Sequence, residues 1–254
     1  MELAAFFVER SLARESSNVV IRHDVRLRDR RTKAFRQFDV VVQYEIAGQT
    51  FLRIVEVQDR NKRVGADFVG QIADKVRRVL AHRATIVSVG GFTSAALNRI
   101  LDEGDLLDAI RLRELDSREV GQLPELLRSM QSVQLTDDTR GVSLGSAAFS
   151  HWSYERPDSG DFIRHIALCD ASVVGARALL CIVIEPSDDA ATANLSAYLL
   201  GQDGQRRITR FGMELESTDG SRRRVTLQRP VATRKPDAPP VPPPPLPSRD
   251  RLVG

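Results

Sequence analysis

Three side chains able to take part in metal or acid–base chemistry lie close together in strand-like segments of the chain. Glu56 lies in IVEVQ, among β-branched apolar residues, with Gln58 two positions on, and Asp39 lies in FDVVV. Burying an unpaired carboxylate costs several kcal/mol. Acids in such segments therefore need a cation, a shared proton or a basic partner.

The two acids are predicted to face each other across a β-hairpin. The segments at 36–45 and 50–58 have strand patterns, and the turn between them contains Gly48. A two-residue turn at Ala47 and Gly48 would place Asp39 directly opposite Glu56, with Cβ atoms about 4.5–5.5 Å apart. Gln58 would then lie on the same face as Glu56.

A divalent cation would satisfy both acids. Mg²⁺ is commonly held by one or two carboxylates and waters, and it leaves room for substrate phosphate. The predicted protein ligands are Asp39, Glu56 and the backbone carbonyl of Val57. A cation held there would lower the pKa of a bound water and stabilise charge on phosphoryl oxygens. The alternative is an ion pair with a nearby arginine, and the candidates are Arg22, Arg36 and Arg53.

The elements that must position these residues pattern as an α/β domain. Apolar periodicity predicts helix, three strands, helix, strand, helix and strand, at 2–15, 19–28, 36–45, 50–58, 66–83, 85–89, 95–103 and 109–115. Antiparallel strands followed by a βαβ crossover predict a three-layer α/β core with a mixed sheet. We assign residues 1–118 to this domain.

The pattern changes beyond residue 118. Residues 119–229 contain a helical segment at 123–132 and then β-rich runs separated by Asp/Gly turns, which predicts a smaller β-rich domain of unknown role. Residues 230–254 contain nine of the twelve prolines. Such a composition predicts a disordered, polyproline-like tail, which could recruit a protein partner.

The first domain resembles a known nuclease family. The segments RQFDVVV, IVEVQDR, IVSVGGFTSAAL and IRLREL follow one another, with RDRRTK before the first acidic strand. Together they resemble the Mrr-type restriction endonuclease catalytic domain of the PD-(D/E)xK nuclease superfamily, over residues of about 1–116. The resemblance implies a restriction-endonuclease-like fold and Mg²⁺- or Mn²⁺-dependent cleavage of DNA, in restriction or defence.

The resemblance also implies roles for individual residues. The first acid of the family motif corresponds to Asp39, and the acid of its E-x-K element corresponds to Glu56. A further glutamate on the first helix corresponds to Glu9, with Glu2 as the alternative. The lysine of E-x-K corresponds to Gln58, which can hydrogen-bond the attacking water but carries no charge.

The glutamine leaves two functions open. Loss of the lysine charge would cost about a hundred-fold or more in rate, unless another basic residue replaces it. Lys75 on the predicted second helix is one candidate, and a plain surface lysine is the alternative interpretation. The first hypothesis is an active DNA endonuclease. The second is a weakened nuclease-fold protein that binds DNA or partners without cleaving.

Positive charge is concentrated around the hairpin, since residues 22–63 contain 11 Lys and Arg against 6 Asp and Glu. A basic patch of this kind suits a polyanion such as DNA. Contacts to phosphates hold DNA without reading its sequence. The predicted DNA-binding residues are Arg26, Arg28, Arg30, Arg31, Lys33, Arg36 and Lys62.

The two cysteines, Cys169 and Cys181, have neither paired nor metal-type spacing. This predicts free thiols and a reducing, cytoplasmic location. No apolar run in the sequence is long enough to cross a bilayer. A homodimer would fit the hypothesis, because a double-strand break is made more easily with two active sites.

Overall fold

The computed structural model describes residues 1–13, 18–122, 134–136, 142–144, 149–173, 176–184, 195–201, 204–207, 210–216 and 222–228. The helices are α1 (Glu2–Leu12), α2 (Ala66–Val79), α3 (Ser94–Asp102) and α4 (Ser117–Gln122), with a short 3₁₀ turn at Gly104–Leu106. The predicted helix at 123–132 and the proline-rich tail lie outside the described residues.

The first strands are β1 (Val19–Arg28), β2 (Phe35–Ile46), β3 (Gln49–Gln58), β4 (Arg83–Ser88) and β5 (Leu107–Glu114). The later strands are β6 (Gln134–Thr136), β7 (Val142–Leu144), β8 (Ser150–Glu155), β9 (Phe162–Val173), β10 (Ala176–Ile184), β11 (Leu195–Gly201), β12 (Gly204–Arg207), β13 (Arg210–Glu216) and β14 (Arg222–Gln228).

Within the described residues the main sheet is mixed and has 11 strands, in the order β1-β2-β3-β4-β5-β8-β9-β10-β11-β12, with β7 beside β9. β1, β2 and β3 are antiparallel, and β3, β4 and β5 are parallel, which confirms the predicted mixed α/β class. β5 then pairs with β8 in antiparallel fashion. The sheet therefore continues past residue 118, where the sequence predicts a domain boundary. β14, β13 and β6 form a second sheet.

The hairpin between β2 and β3 has the predicted two-residue turn. Ala47 and Gly48 both have positive φ, 50° and 76°, as a type I′ turn requires. The pairs run from Ile46–Gln49 to Val40–Val55. This is the predicted register, so Asp39 and Glu56 follow directly after the last pair.

Helices cover both faces of the sheet. The first apolar cluster joins Phe6 and Phe7 of α1 to Val55 and Leu112, and it extends to Tyr154, Ile166 and Cys181. The second cluster joins α2 and α3 to the opposite face. Since the first cluster contains residues from β8, β9 and β10, α1 packs against the sheet on both sides of the predicted boundary. Cys169 and Cys181 are buried and form no disulfide within the described residues, in line with the predicted thiols.

The ribbon formed by β1 and β2 reverses its faces at Asp24. Val19 and Ile21 pack against the first cluster, whereas Val25 and Leu27 pack against the second. Strict alternation along a strand would place all four on one face. Asp24 has φ of 52°, a left-handed conformation that aspartate adopts more readily than most residues. The reversal turns the far end of the ribbon towards α2.

The second helix is shorter than predicted. It ends at Val79, and Leu80 takes a left-handed conformation with φ of 56°. The chain then returns directly to the sheet, because the backbone N–H of His82 donates to the carbonyl of Leu52 at 2.8 Å. The predicted helical extension to residue 83 is therefore wrong.

Candidate active site

Asp39 lies where β2 and β3 separate. The backbone ladder ends at Val40–Val55, and the N–H of Val57 donates instead to Asp39 Oδ2 at 2.6 Å. The Asp39 carboxylate thus accepts a backbone N–H that a carbonyl of the neighbouring strand would otherwise accept. Asp39 is half-buried and Glu56 is buried, so both acids lie at the edge of the core.

Burial disfavours the charged forms of both acids. Burial raises the pKa of Asp39, and the hydrogen bond from Val57 offsets part of that rise. Burial also raises the pKa of Glu56, and Lys75 opposes the rise while the charge of Asp39 adds to it. A further cation at this place would relieve both carboxylates.

Lys75 of α2 reaches the site. Its Nζ donates to Glu56 Oε1 at 2.8 Å, lies 3.5 Å from the carbonyl of Gln37 and lies 5.1 Å from the centre of the Phe38 ring. The interpretation of Lys75 as a plain surface lysine is therefore wrong. A basic partner for Glu56 does exist, but it is a lysine on the crossover helix and none of the three arginines named from the sequence.

Gln58 ends β3 beside Ser88 of β4. Its backbone carbonyl accepts the N–H of Val89 at 3.0 Å, which fixes the end of the strand. The side chain is half-buried, and its amide has no hydrogen-bond partner among the described residues. Gln58 therefore has an uncommitted amide on the strand that carries Glu56.

Glu9 does not join the two acids. It is buried and forms an ion pair with Arg53. Burial raises its pKa, and Arg53 and Tyr154 oppose the rise. These contacts bind α1 to β3 and β8, and the assisting role of Glu9 stays a prediction.

Glu2 is the acid of α1 that the structure brings towards Asp39 and Glu56. Its charge contributes to the raised pKa of both carboxyls. Its Oε2 lies 3.5 Å from Nε2 of His23, on the strand next to Asp39. Helical periodicity alone could not choose Glu2 over Glu9, because the two acids lie about two turns apart on one helix.

The donors at this place are all oxygens, the type that Mg²⁺ prefers. They are the carboxylates of Asp39 and Glu56 and the carbonyl of Val57. Within the described ranges no group of three or more His, Cys, Asp or Glu side chains is arranged to hold a metal ion. Two carboxylates and a carbonyl still fit Mg²⁺, which usually keeps several waters. The metal site remains a prediction.

The predicted DNA-binding residues divide into two groups. Arg36 donates to the buried carboxylate of Asp29 at 2.7 Å, so it has a structural partner. Arg26, Arg28, Arg30, Arg31, Lys33 and Lys62 are exposed. Among the residues that the structure describes, none of these six forms an ion pair with an acid. Their charges are therefore available to an anionic partner.

Comparison with known proteins gives few matches. No family model and no curated protein matches the chain. A protein of unknown function, AF1548, matches with a TM-score of 0.34 and 15% identity, over 43% of this chain and 58% of its own. The MspJI restriction endonuclease in complex with a 27-mer oligonucleotide matches with a TM-score of 0.32 and 18% identity, over 43% of this chain and 25% of its own.

Both matches are too weak to bear on function. The chain spans little more than half of the first matched structure and a quarter of the second. In the described part of the chain, no helix has the length and apolar character needed to cross a membrane. The chain is thus a mixed α/β protein with a weak, partial structural similarity to a restriction endonuclease.

Proposed function

We propose that this chain hydrolyses phosphodiester bonds of DNA with the help of Mg²⁺ or Mn²⁺. One observation carries the proposal. Asp39 of β2 and Glu56 of β3 come directly after the last pair of the hairpin, where the two strands separate. Lys75 Nζ lies 2.8 Å from Glu56 Oε1. Two acids and a lysine in this arrangement are the groups that the resemblance to PD-(D/E)xK nucleases implies.

In the proposed mechanism each residue has a limited task. Asp39, Glu56 and the Val57 carbonyl would hold the cation, which supplies a more acidic bound water and a positive charge beside the phosphate. The amide of Gln58, which has no hydrogen-bond partner among the described residues, would orient the attacking water. Lys75 supplies the positive charge that Gln58 lacks, so the charge comes from α2 instead of β3.

The exposed basic residues serve to hold the substrate. Their charges attract phosphates without reading bases, and the affinity should fall steeply with salt. Glu2 would assist at the cation in place of Glu9, because its charge acts on both carboxyls. We further propose a role in restriction or defence, which is what the resemblance of the sequence implies.

A second candidate is a protein on a nuclease fold that binds DNA or partners without cleaving. The same ion pair favours it, because Lys75 neutralises Glu56 without any metal. The uncharged Gln58 points in the same direction. The two candidates share the basic surface and differ only in chemistry.

Cleavage of supercoiled plasmid with Mg²⁺ or Mn²⁺ separates the candidates. The wild-type protein should cut, and Asp39→Ala and Glu56→Ala should each abolish cutting. Asp102→Ala is the matched control, since Asp102 is an exposed acid on α3, and it should cut normally. No cutting by the wild type across several DNA types would leave the second candidate. Cutting by both site variants would refute the site.

Other parts of the proposal concern the rest of the chain. We propose that residues 119–229 supply specificity or regulation, that the active form is a homodimer, that the 230–254 tail binds a protein partner and that the protein is cytoplasmic. Light scattering of the purified protein, and of a chain ending at residue 229, tests the homodimer. A monomer that cuts both DNA strands would contradict it.

A further inference from the structure

The far end of the β1–β2 ribbon has one uncovered face. Arg26 pairs with Gln37, and Arg28 pairs with Phe35. Cross-strand partners project to the same side of a sheet, so these four side chains share one face, here called the outer face. All four are exposed. The opposite face carries Val25, Leu27 and Phe38, which pack against the second apolar cluster beside α2.

The outer face combines positive charge with one exposed aromatic ring. Phe35 is 69% exposed, and Arg28 lies directly opposite it. Among the described residues no acid forms an ion pair with Arg26 or Arg28, and the nearby Asp24 is engaged by the Gln37 amide at 2.6 Å. Single exposed apolar residues are common. Here, however, the exposed ring lies beside two arginines that have no acidic partner among the described residues. An aromatic ring can stack on a base and arginines can bind phosphates, so the face suits an unstacked nucleotide.

The turn that joins the two strands is rigid. The carboxylate of Asp29 accepts the N–H groups of Arg31 at 2.8 Å and Thr32 at 2.9 Å. The N–H of Asp29 donates to the carbonyl of Ala34 at 2.8 Å, and the N–H of Arg30 donates to the carbonyl of Arg78 at 3.0 Å. Phe35 is therefore presented by a preorganised support, which lowers the entropy lost on binding.

Phe35 and the candidate active site lie on the same strand but on opposite faces of the ribbon, because Lys75 reaches Glu56 and the Phe38 ring from the α2 side. Phe35 precedes Asp39 by four residues on β2, which corresponds to about 13 Å of extended strand. That length is about four stacked nucleotides at roughly 3.4 Å each. A DNA strand with its scissile phosphate at Asp39 would therefore have to cross the edge of β2, which has no β3 partner before Val40, and a base that reaches the Phe35 ring is at least a few nucleotides from the cut.

We propose that Phe35 stacks on an unpaired base of DNA, while Arg26 and Arg28 hold the neighbouring phosphates. The substrate class is then single-stranded DNA, or duplex with an unpaired base near the cut, because the base faces of an intact duplex are covered by their neighbours. The inference rests on the DNA-binding part of the proposed function.

Fluorescence anisotropy in EDTA tests the inference without cleavage. The probes are a 30-nucleotide single strand, the matching duplex, and that duplex with one bulged base. The wild type should bind the single strand and the bulge more tightly than the duplex. Phe35→Ala should weaken binding to these two by about 5- to 150-fold and leave duplex binding unchanged.

Two further variants separate stacking from general effects. Phe35→Trp keeps a ring and should retain binding. Leu101→Ala removes an apolar side chain that is 74% exposed on α3, and it should change nothing. Equal losses on all three probes, no loss on any, or a changed oligomeric state in Phe35→Ala would overturn the inference. Preference for unpaired bases without any cleavage would overturn the proposed hydrolysis and leave the inference standing.

Discussion

Replacing Lys75 tests whether α2 supplies the charge that Gln58 lacks. Lys75→Gln removes the positive charge and keeps a hydrogen-bond donor on a side chain one atom shorter. If the lysine belongs to the chemistry, this variant should still bind DNA but cut it far more slowly. If the lysine only neutralises Glu56, cutting should hardly change once a divalent cation is present.

The size of the effect follows from the contact. At 2.8 Å between Lys75 Nζ and Glu56 Oε1, the gross Coulomb attraction is about 6 kcal/mol at an effective dielectric constant of about 20. Desolvation offsets much of it, since Glu56 is buried and Lys75 is only 27% exposed. Removing one well-placed group that stabilises transition-state charge commonly costs about 10²–10³ in kcat. We expect a loss of that order.

The assay is single-turnover cleavage of plasmid DNA with saturating Mg²⁺, beside anisotropy measurements of binding. A charge-relocation variant, Gln58→Lys combined with Lys75→Gln, is the matched control. It returns the charge to β3, where the family motif has it, so it should recover much of the lost rate. Binding should stay within about two-fold for all variants, because the exposed basic residues are unchanged.

Two results would refute the reasoning. Cutting by Lys75→Gln at the wild-type rate would show that the ion pair with Glu56 is structural. If Lys75→Gln cuts slowly and adding Gln58→Lys does not restore the rate, a charge at position 58 does not replace the charge of Lys75.

Three further predictions concern the surroundings of the site. Burial raises the pKa of Asp39, so its charged form destabilises the fold as pH rises through that pKa. Asp39→Asn should therefore raise the midpoint of urea unfolding at pH 7 in EDTA. Added Mg²⁺ should raise the midpoint of the wild type only. A Cβ at Gly90 would lie 2.6 Å from the carbonyl oxygen of Lys62, so Gly90→Ala should cost about 1–3 kcal/mol in urea unfolding; an unchanged midpoint would mean that the loop shifts freely. The N–H of Thr32, with Arg36, lowers the pKa of Asp29 from 3.8, so Asp29 stabilises the fold above that pH and the effect is lost as pH falls through the lowered pKa. Asp29→Asn should therefore flatten the acid limb of the stability profile, and an unaltered limb would contradict it.

Local patterns predict the hairpin and the position of its acids. The alternation in β2 and β3 and a two-residue turn at Ala47 and Gly48 predict one register, which a longer turn would shift. The structure has the predicted register from Val40–Val55 to Ile46–Gln49. A tight turn with both φ values positive permits little variation, so Asp39 and Glu56 come directly after the last pair.

Contacts between distant segments could not be predicted in the same way. Lys75 contacts Glu56 because the crossover helix lies over β3. Which residues of that helix face the site depends on how it is rotated about its axis, and this rotation is set by tertiary packing that the sequence pattern does not reveal. The pairing of β5 with β8 joins segments separated by a long stretch of chain, and no turn signal specifies it. The sequence pattern also does not predict the reversal of faces at Asp24. A positive φ at that one residue changes the face of every later residue of the strand.

The two glutamates of α1 show how one helix can serve both stability and chemistry. Glu9 lies under the sheet with Arg53 and near Tyr154, and this contact fixes the helix against the strands. Glu2, two turns earlier, is half-exposed in the first turn of the helix, where the helix dipole favours an acid, and its carboxylate lies 3.5 Å from His23. Its charge also adds to the rise that burial causes in the pKa of Asp39 and of Glu56. A cation bound there would balance all three acids, so metal binding, measured apart from cleavage, is the property on which the proposed function most depends.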